Sequence, residues 1–298
     1  MKPGQIAAML LLSMVWGGAF LFIRVVVRDV PPVTVVAGRL AIAAIVLAPL
    51  AATRGGIMPP RAAWPALIFL AAFNNVIPFT LITAAERHVT ASLAAVLVGT
   101  MPMFTLIFAT AGRTERANAE KVAGLLIGFV GVAVLVGADV TELTDSNTIA
   151  EFAVILAAAC YALSTVVARQ TSRGAPLSLA SGQMIFGLMM AAPLALVMDG
   201  RPDFGISAEA GASWLALGLL SSGLAYVIFF TLVQSMSATQ VAVVTYLIPI
   251  VATVLGWLVL NEAVGPNLLI GLALVIAGVA AINGAARQAW ERVLAVSV

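Results

Sequence analysis

Charge is scarce in this 298-residue chain: 9% of its residues are Asp, Glu, Lys or Arg, and 62% are hydrophobic. A soluble domain carries about 25% charged residues. Too few polar side chains exist to cover a water-facing surface, so a bilayer must act as the solvent. The net charge is only +2 and no basic block is present, which leaves no footprint for nucleic acid. A single cysteine, Cys160, excludes a disulfide within the chain, and a single histidine, His88, leaves a structural zinc site without ligands. No Walker phosphate loop is found, which argues against ATP coupling within this chain. No Asp or Glu falls near the centre of any apolar run. An intramembrane enzyme would need a nucleophile, base or metal cluster that these residues do not supply. The expectation is therefore a protein that is not an enzyme and needs no cofactor.

What is abundant is apolar sequence in membrane-spanning lengths. A helix needs about 20 such residues to cross the hydrocarbon core. Ten segments qualify, roughly 5–27, 32–53, 64–85, 90–112, 119–138, 149–169, 177–198, 211–234, 238–259 and 265–284. Met1-Lys2-Pro3 leads into the first without a cleavage site, so that run reads as a retained span. Turn-forming groups such as Asp29-Val30-Pro31-Pro32 and Asp199-Gly200-Arg201-Pro202 separate the segments.

The chain also repeats. Pro102, Glu115, Gly124 and Gly131 recur 147 residues later as Pro249, Glu262, Gly271 and Gly278 (102+147=249, 115+147=262, 124+147=271, 131+147=278). This divides the chain into a first repeat at 1–140, a second at 149–285 and a short tail at 286–298. With the N-terminus inside, ten Lys and Arg fall in cytoplasmic loops and three, Arg28, Arg87 and Arg201, in outer ones. Both termini are therefore expected in the cytoplasm. Five spans per repeat is an odd number, so the second repeat enters from the opposite side. The expected fold is an all-α membrane protein: ten transmembrane helices, built as two inverted-topology five-helix repeats around a central cavity.

Polar and aromatic residues form stripes within the spans. Ser13, Trp16, Gly17, Phe20 and Arg24 share one face of span 1. Span 6 carries Tyr161, Thr165 and Arg169 at the positions of Trp16, Phe20 and Arg24. In span 3, Asn75, Phe79 and Thr83 match Ser222, Tyr226 and Phe230 of span 8. With Asn74, Met101 and Tyr246, these residues (Trp16, Phe20, Asn75, Phe79, Thr83, Tyr161, Thr165, Ser222, Tyr226 and Phe230) are the candidate substrate-binding set. The competing reading is plain helix packing. Pro102 and Pro249 break spans 4 and 9 at matched positions, as gating hinges or as static kinks. Arg24 and Arg39 could recruit a carboxylate. Arg39 either snorkels to the outer surface or pairs inside the bundle. Glu86 and His88, at the outer end of span 3, are expected in a solvated loop.

Ten spans in a five-plus-five repeat, each repeat with a Pro-containing span, a short Glu turn and a Gly-rich span, resemble the drug/metabolite transporter superfamily, EamA type. Ile248-Pro249, Leu260-Asn261-Glu262 and Gly271 to Gly278 carry the likeness, with Trp16-Gly17, Arg39, Pro102, Glu115 and Gly124 to Gly131 in the first half. Gly112-Arg113-Thr114-Glu115 departs from the usual Leu-Gly-Glu turn. Within the superfamily the sequence is similar to the bacterial YddG-like amino-acid exporters. The resemblance implies a transporter of the bacterial inner membrane, with a cavity lined by spans 1, 3, 4, 6, 8 and 9. Its partners would be a small-molecule substrate and the lipid bilayer, with no nucleic acid; the oligomeric state is left open, and a monomer is compatible with it. Aromatic walls with Asn, Ser and Thr donors suit export of aromatic or neutral amino acids. A drug, purine or sugar phosphate is the alternative substrate.

Overall fold

The computed structural model describes residues 3–112, 118–136, 146–171, 174–201, 205–235 and 238–282. Within these, the side chains at 132, 133, 135, 136, 146, 169–171, 238–243, 245, 246, 279 and 282 lie outside the description. Glu115, expected at a turn of the first repeat, and the tail at 286–298 lie outside the described residues.

Among the described residues all regular structure is helical. In chain order the elements are α1 (Pro3–Val26), α2 (Pro32–Ala52), α3 (Trp64–Ala71), α4 (Ile77–Ala85), α5 (Ala91–Val98), α6 (Met101–Ala111), α7 (Ala119–Val136), α8 (Ser146–Thr171), α9 (Pro176–Met198), α10 (Ala208–Ala216), α11 (Ala225–Ser235), α12 (Ala238–Leu260) and α13 (Pro266–Ile282). Two π-helical stretches, Ala72–Val76 and Leu217–Leu224, join α3 to α4 and α10 to α11. Among the described residues, seven helical stretches are long and apolar enough to cross a membrane, and shorter apolar helices follow at Leu247–Leu260 and Pro266–Gly278. The outer surface is apolar, with Val197 83% and Ile45 70% exposed. Such a surface is stable only against lipid, and a helix satisfies all its backbone groups without water.

Carboxylates in the turns fasten distant helices to one another. Asp199 accepts hydrogen bonds from Thr34 N (2.7 Å) and Oγ1 (2.9 Å) at the start of α2. Asp29 accepts from Ser207 N (2.9 Å) and Oγ (2.6 Å) just before α10, and these bonds hold its carboxyl below the usual range. Glu262 accepts from Ala91 N (2.7 Å), Ser92 N (3.0 Å) and Ser92 Oγ (2.5 Å) at the start of α5. Each acid answers unpaired N–H groups at the positive end of a helix dipole. These contacts gather Asp29, Thr34, Ala91, Ser92, Asp199, Ser207 and Glu262 at one end of the bundle. At the other end Ser178 Oγ donates to Gly56 O (2.6 Å), Gln234 Nε2 to Gly174 O (2.8 Å) and Gln5 Nε2 to Ser235 O (3.4 Å).

Between the ends, α2 lies along α9, α7 along α13, α1 along α12, α10 and α11, and α8 along α4, α5 and α6. Small residues allow the closest approaches. A Cβ on Gly278 would come within 2.6 Å of Gly124 O, and one on Gly38 within 2.1 Å of the Trp214 ring. Trp214 also donates from Nε1 to Val35 O (2.8 Å), so it locks α10 onto α2.

Pro102 differs from expectation. It does not kink a continuous span. The chain breaks at Gly99–Thr100, and Pro102 stands in the first turn of α6, where its missing N–H leaves no gap in the ladder. Pro249 does lie inside a continuous helix, α12. The two sites touch: a Cβ on Gly99 would lie 3.1 Å from Pro249 Cγ.

Candidate functional site

The two π-helical stretches hold paired polar residues within their spans, Asn74-Asn75 and Ser221-Ser222. The first stretch, moved by the repeat period, falls inside the second (72+147=219, 76+147=223). A π turn widens the helix and loosens the i→i−4 ladder, and such turns recur at functional sites. Here each offers a carbonyl to an aromatic donor from the opposite half of the chain. Tyr226 Oη donates to Asn74 O at 2.8 Å, and Trp16 Nε1 donates to Ser221 O at 3.3 Å.

Between them stands Arg39. It is 2% exposed, so it points into the bundle and does not snorkel to the surface. Its Nε donates to Ser222 Oγ at 2.9 Å, and its guanidinium carbon sits 3.8 Å from the centre of the Phe79 ring. No carboxylate among the described residues is paired with it by a hydrogen bond or ion pair. A guanidinium has five N–H donors in a planar fork, and the recorded hydrogen bond commits only Nε. Beside it, Gln183 Nε2 donates to Asn75 Oδ1, with both residues fully buried. Asn75 Nδ2 and Gln183 Oε1 are buried without a hydrogen-bond partner. Aromatic rings wall the region: Trp16 lies 6.1 Å from Tyr226 and 5.7 Å from Phe229, and Phe79 lies 6.5 Å from Tyr161, centre to centre.

The structure thus brings together Trp16, Arg39, Asn74, Asn75, Phe79, Tyr161, Ser222 and Tyr226. Thr165 turns back on its own helix and donates to Tyr161 O at 2.8 Å. Thr83 is buried with its hydroxyl unpartnered. Phe20 and Phe230 are core side chains, 6% and 0% exposed. Met101, half-buried, opens α6. The side chain of Tyr246 lies outside the described residues. Gln183, Ser164 and Phe229 were not anticipated. Ser164 Oγ donates to Asn74 Oδ1 at 3.1 Å. The signal for Gln183 was available, since it is the one side-chain amide in span 7.

Arg24 is apart from this centre. It donates from Nη1 to the Glu86 carbonyl at the end of α4. With Val27, Arg28 and Arg87 it lines a cavity of about 220 Å³. Glu86 corrects the solvated-loop expectation: it is 0% exposed, and both carboxylate oxygens are buried without a hydrogen-bond partner. The residues that cover it come from distant parts of the chain.

An apolar-surfaced helical bundle with an aromatic and polar centre is a multi-pass membrane protein. The chain belongs to the EamA-like transporter family, whose model matches it twice, over residues 4–137 and 148–284. The Bacillus subtilis transporter YoaV is 23% identical over 90% of this chain and 92% of its own. A protein of Streptantibioticus cattleyicolor named "Probable terminal-alkyne amino-acid exporter" is 30% identical over 93% of this chain and 92% of its own. A crystal structure of another protein, 19% identical, has the same fold, with a TM-score of 0.71 over 97% of this chain and 99% of that one.

Proposed function

We propose that this chain exports small amphipathic metabolites, foremost aromatic or neutral amino acids, across a bacterial inner membrane by alternating access. Arg39 holds the substrate carboxylate. The observation that carries this reading is the buried guanidinium, oriented by Ser222 and Phe79 and lacking an acidic partner among the described residues. A cation removed from water is costly unless it is compensated, and a substrate carboxylate on its fork supplies that compensation. Trp16, Phe79, Tyr161 and Tyr226 face the apolar side chain, Gln183 Oε1 offers an unpaired acceptor to the ammonium, and Asn75 Nδ2 offers an unpaired donor to the carboxylate. The relative named as an amino-acid exporter supports the substrate class. A buried cation disfavours cationic drugs.

The architecture in this reading is ten spans in two inverted five-span repeats, residues 1–140 and 149–285, with both termini cytoplasmic. The helix pairings support it: exchanging each span for the one five further on turns α1 against α12 into α8 against α5 and α6, and returns α2 against α9 to itself. The test is counterflow in liposomes holding purified protein, with labelled amino acids, purines, sugar phosphates and cationic drugs and no added energy source. Exchange of neutral amino acids is expected. Exchange of another class alone overturns the substrate assignment, and exchange of none overturns transport by this chain.

A further inference from the structure

Glu86 follows directly after α4, at the end of the bundle where Glu262 caps α5. The charged and titratable groups around it come from every element packed there. They are Arg24 of α1, Arg28 of the turn after it, Arg39 of α2, Glu262 of the turn after α12, and Arg87 and His88 of its own turn. From α8 come Tyr161 and Glu151. The antiparallel register set by Asn74–Ser164 and Phe79–Tyr161 brings Glu151 level with Glu86.

Arg24 does not pair with the carboxylate. It donates to the backbone carbonyl of the same residue, so the side chain lies in the interior with neither oxygen bonded. An ionised carboxylate cannot rest there cheaply, because nothing replaces its hydration. Burial pushes its carboxyl well above the usual range, and Glu262 adds to this while Arg24 and Arg39 oppose it. When this end opens, water and the guanidinium groups of Arg24, Arg28 and Arg87 come within reach of the carboxylate, and the ionised form becomes the stable one.

We propose that Glu86 is a proton-binding gate: this end of the bundle closes only when the Glu86 carboxyl has taken up a proton, and opening returns that proton to the same side. The step is an acid–base equilibrium, in which one proton leaves the carboxyl oxygen for solvent water on opening and returns on closing. Uptake and release on one side give pH control of the gate and no net proton transport. The sign follows from the two carboxyl environments. The preference for closure is full below the open-state value, which the guanidinium groups hold under the ordinary carboxylate value of about 4.3. It falls about tenfold per pH unit as pH rises towards the buried-state value, beyond which it is lost.

This gate rests on the alternating-access reading, but its test needs no substrate, so failed transport and a failed gate are distinguishable. A reporter cysteine at Val27, which lines the cavity beside Arg24, is placed in a Cys160→Ala background of the full chain in liposomes. Its maleimide labelling rate is measured from acid to alkaline pH. An exposed Arg54→Cys reporter corrects for thiol ionisation. The corrected rate is expected to rise about tenfold per pH unit across the titration. Glu86→Gln, an uncharged mimic of the protonated acid, should remain in the slow-labelling state at all pH values. Glu86→Asp should restore a pH-dependent rise. A pH-independent wild-type rate, or a Glu86→Gln variant with the wild-type profile, overturns the gate. Substrate-linked proton flux across the membrane, read by an entrapped pH dye, overturns its one-sidedness.

Discussion

Replacing Arg39 with methionine should affect binding and folding in opposite directions. A carboxylate seated on the guanidinium fork makes two charge-assisted hydrogen bonds, each worth about 1.5 kcal/mol at the low end of the range. Losing both costs about 3 kcal/mol, or roughly a 150-fold weaker Kd. Folding changes differently. The variant gives up the Ser222 hydrogen bond and the stacking on Phe79, on the order of 1 kcal/mol each. It also removes a buried charge whose desolvation costs several kcal/mol, and methionine refills the space. The substrate-free protein should therefore melt at the wild-type temperature or above, while the melting shift produced by an exchanging amino acid disappears. Arg39→Lys keeps the charge without the planar fork and should bind with intermediate affinity. Melting curves with and without substrate, together with counterflow KM, read both quantities. Wild-type affinity in Arg39→Met refutes the anchor. A substrate-free protein that unfolds well below wild type refutes the energetic argument, because the arginine would then be a structural strut.

Two further outcomes test the architecture. In a Cys160→Ala background, an impermeant thiol reagent applied to intact cells should label Ala263→Cys and reach Arg54→Cys only after lysis, both positions being exposed; labelling of both from outside breaks the inverted-repeat assignment. Glu262→Gln leaves one side-chain oxygen for three donors at the start of α5 and turns an NH₂ towards the rest. A loss of about 1–3 kcal/mol is expected by chemical or thermal unfolding, with a smaller loss for Ser92→Ala, and an unchanged midpoint refutes the capping role.

The period of 147 was legible because breaks between helices demand particular residues: proline where a ladder starts or bends, glycine where backbones meet, and an acid at a helix start. The stripe from Asn75 to Phe79 was legible because an isolated amide in an apolar span needs a reason. The π-helical turns were not, since no residue type is required by an extra residue in a helical turn. The burial of Glu86 was hidden for a different reason. Its neighbours Arg24, Arg39 and Glu262 are far from it in sequence, and a carboxylate beside Arg87 and His88 looks like an ordinary surface loop.

The two matched prolines show how similar motifs can diverge. Pro102 follows Gly99-Thr100, and its counterpart Pro249 follows Tyr246-Leu247-Ile248 (99+147=246). Glycine is a poor helix former, so the chain can stop before Pro102 and restart with the proline in a first turn. Tyrosine and leucine keep the helix running, so Pro249 must sit inside α12, where it removes a backbone donor. Glycine at 99 is also what admits the Pro249 ring against the break in the first half. A Cβ there would lie 3.1 Å from Pro249 Cγ, so the ring would have to give way by a few tenths of an ångström. The sequence symmetry that suggested paired hinges thus holds for the prolines and fails for the residues before them. One half carries a break and the other a continuous helix, and any motion that exchanges the two ends of the bundle must begin from this asymmetry.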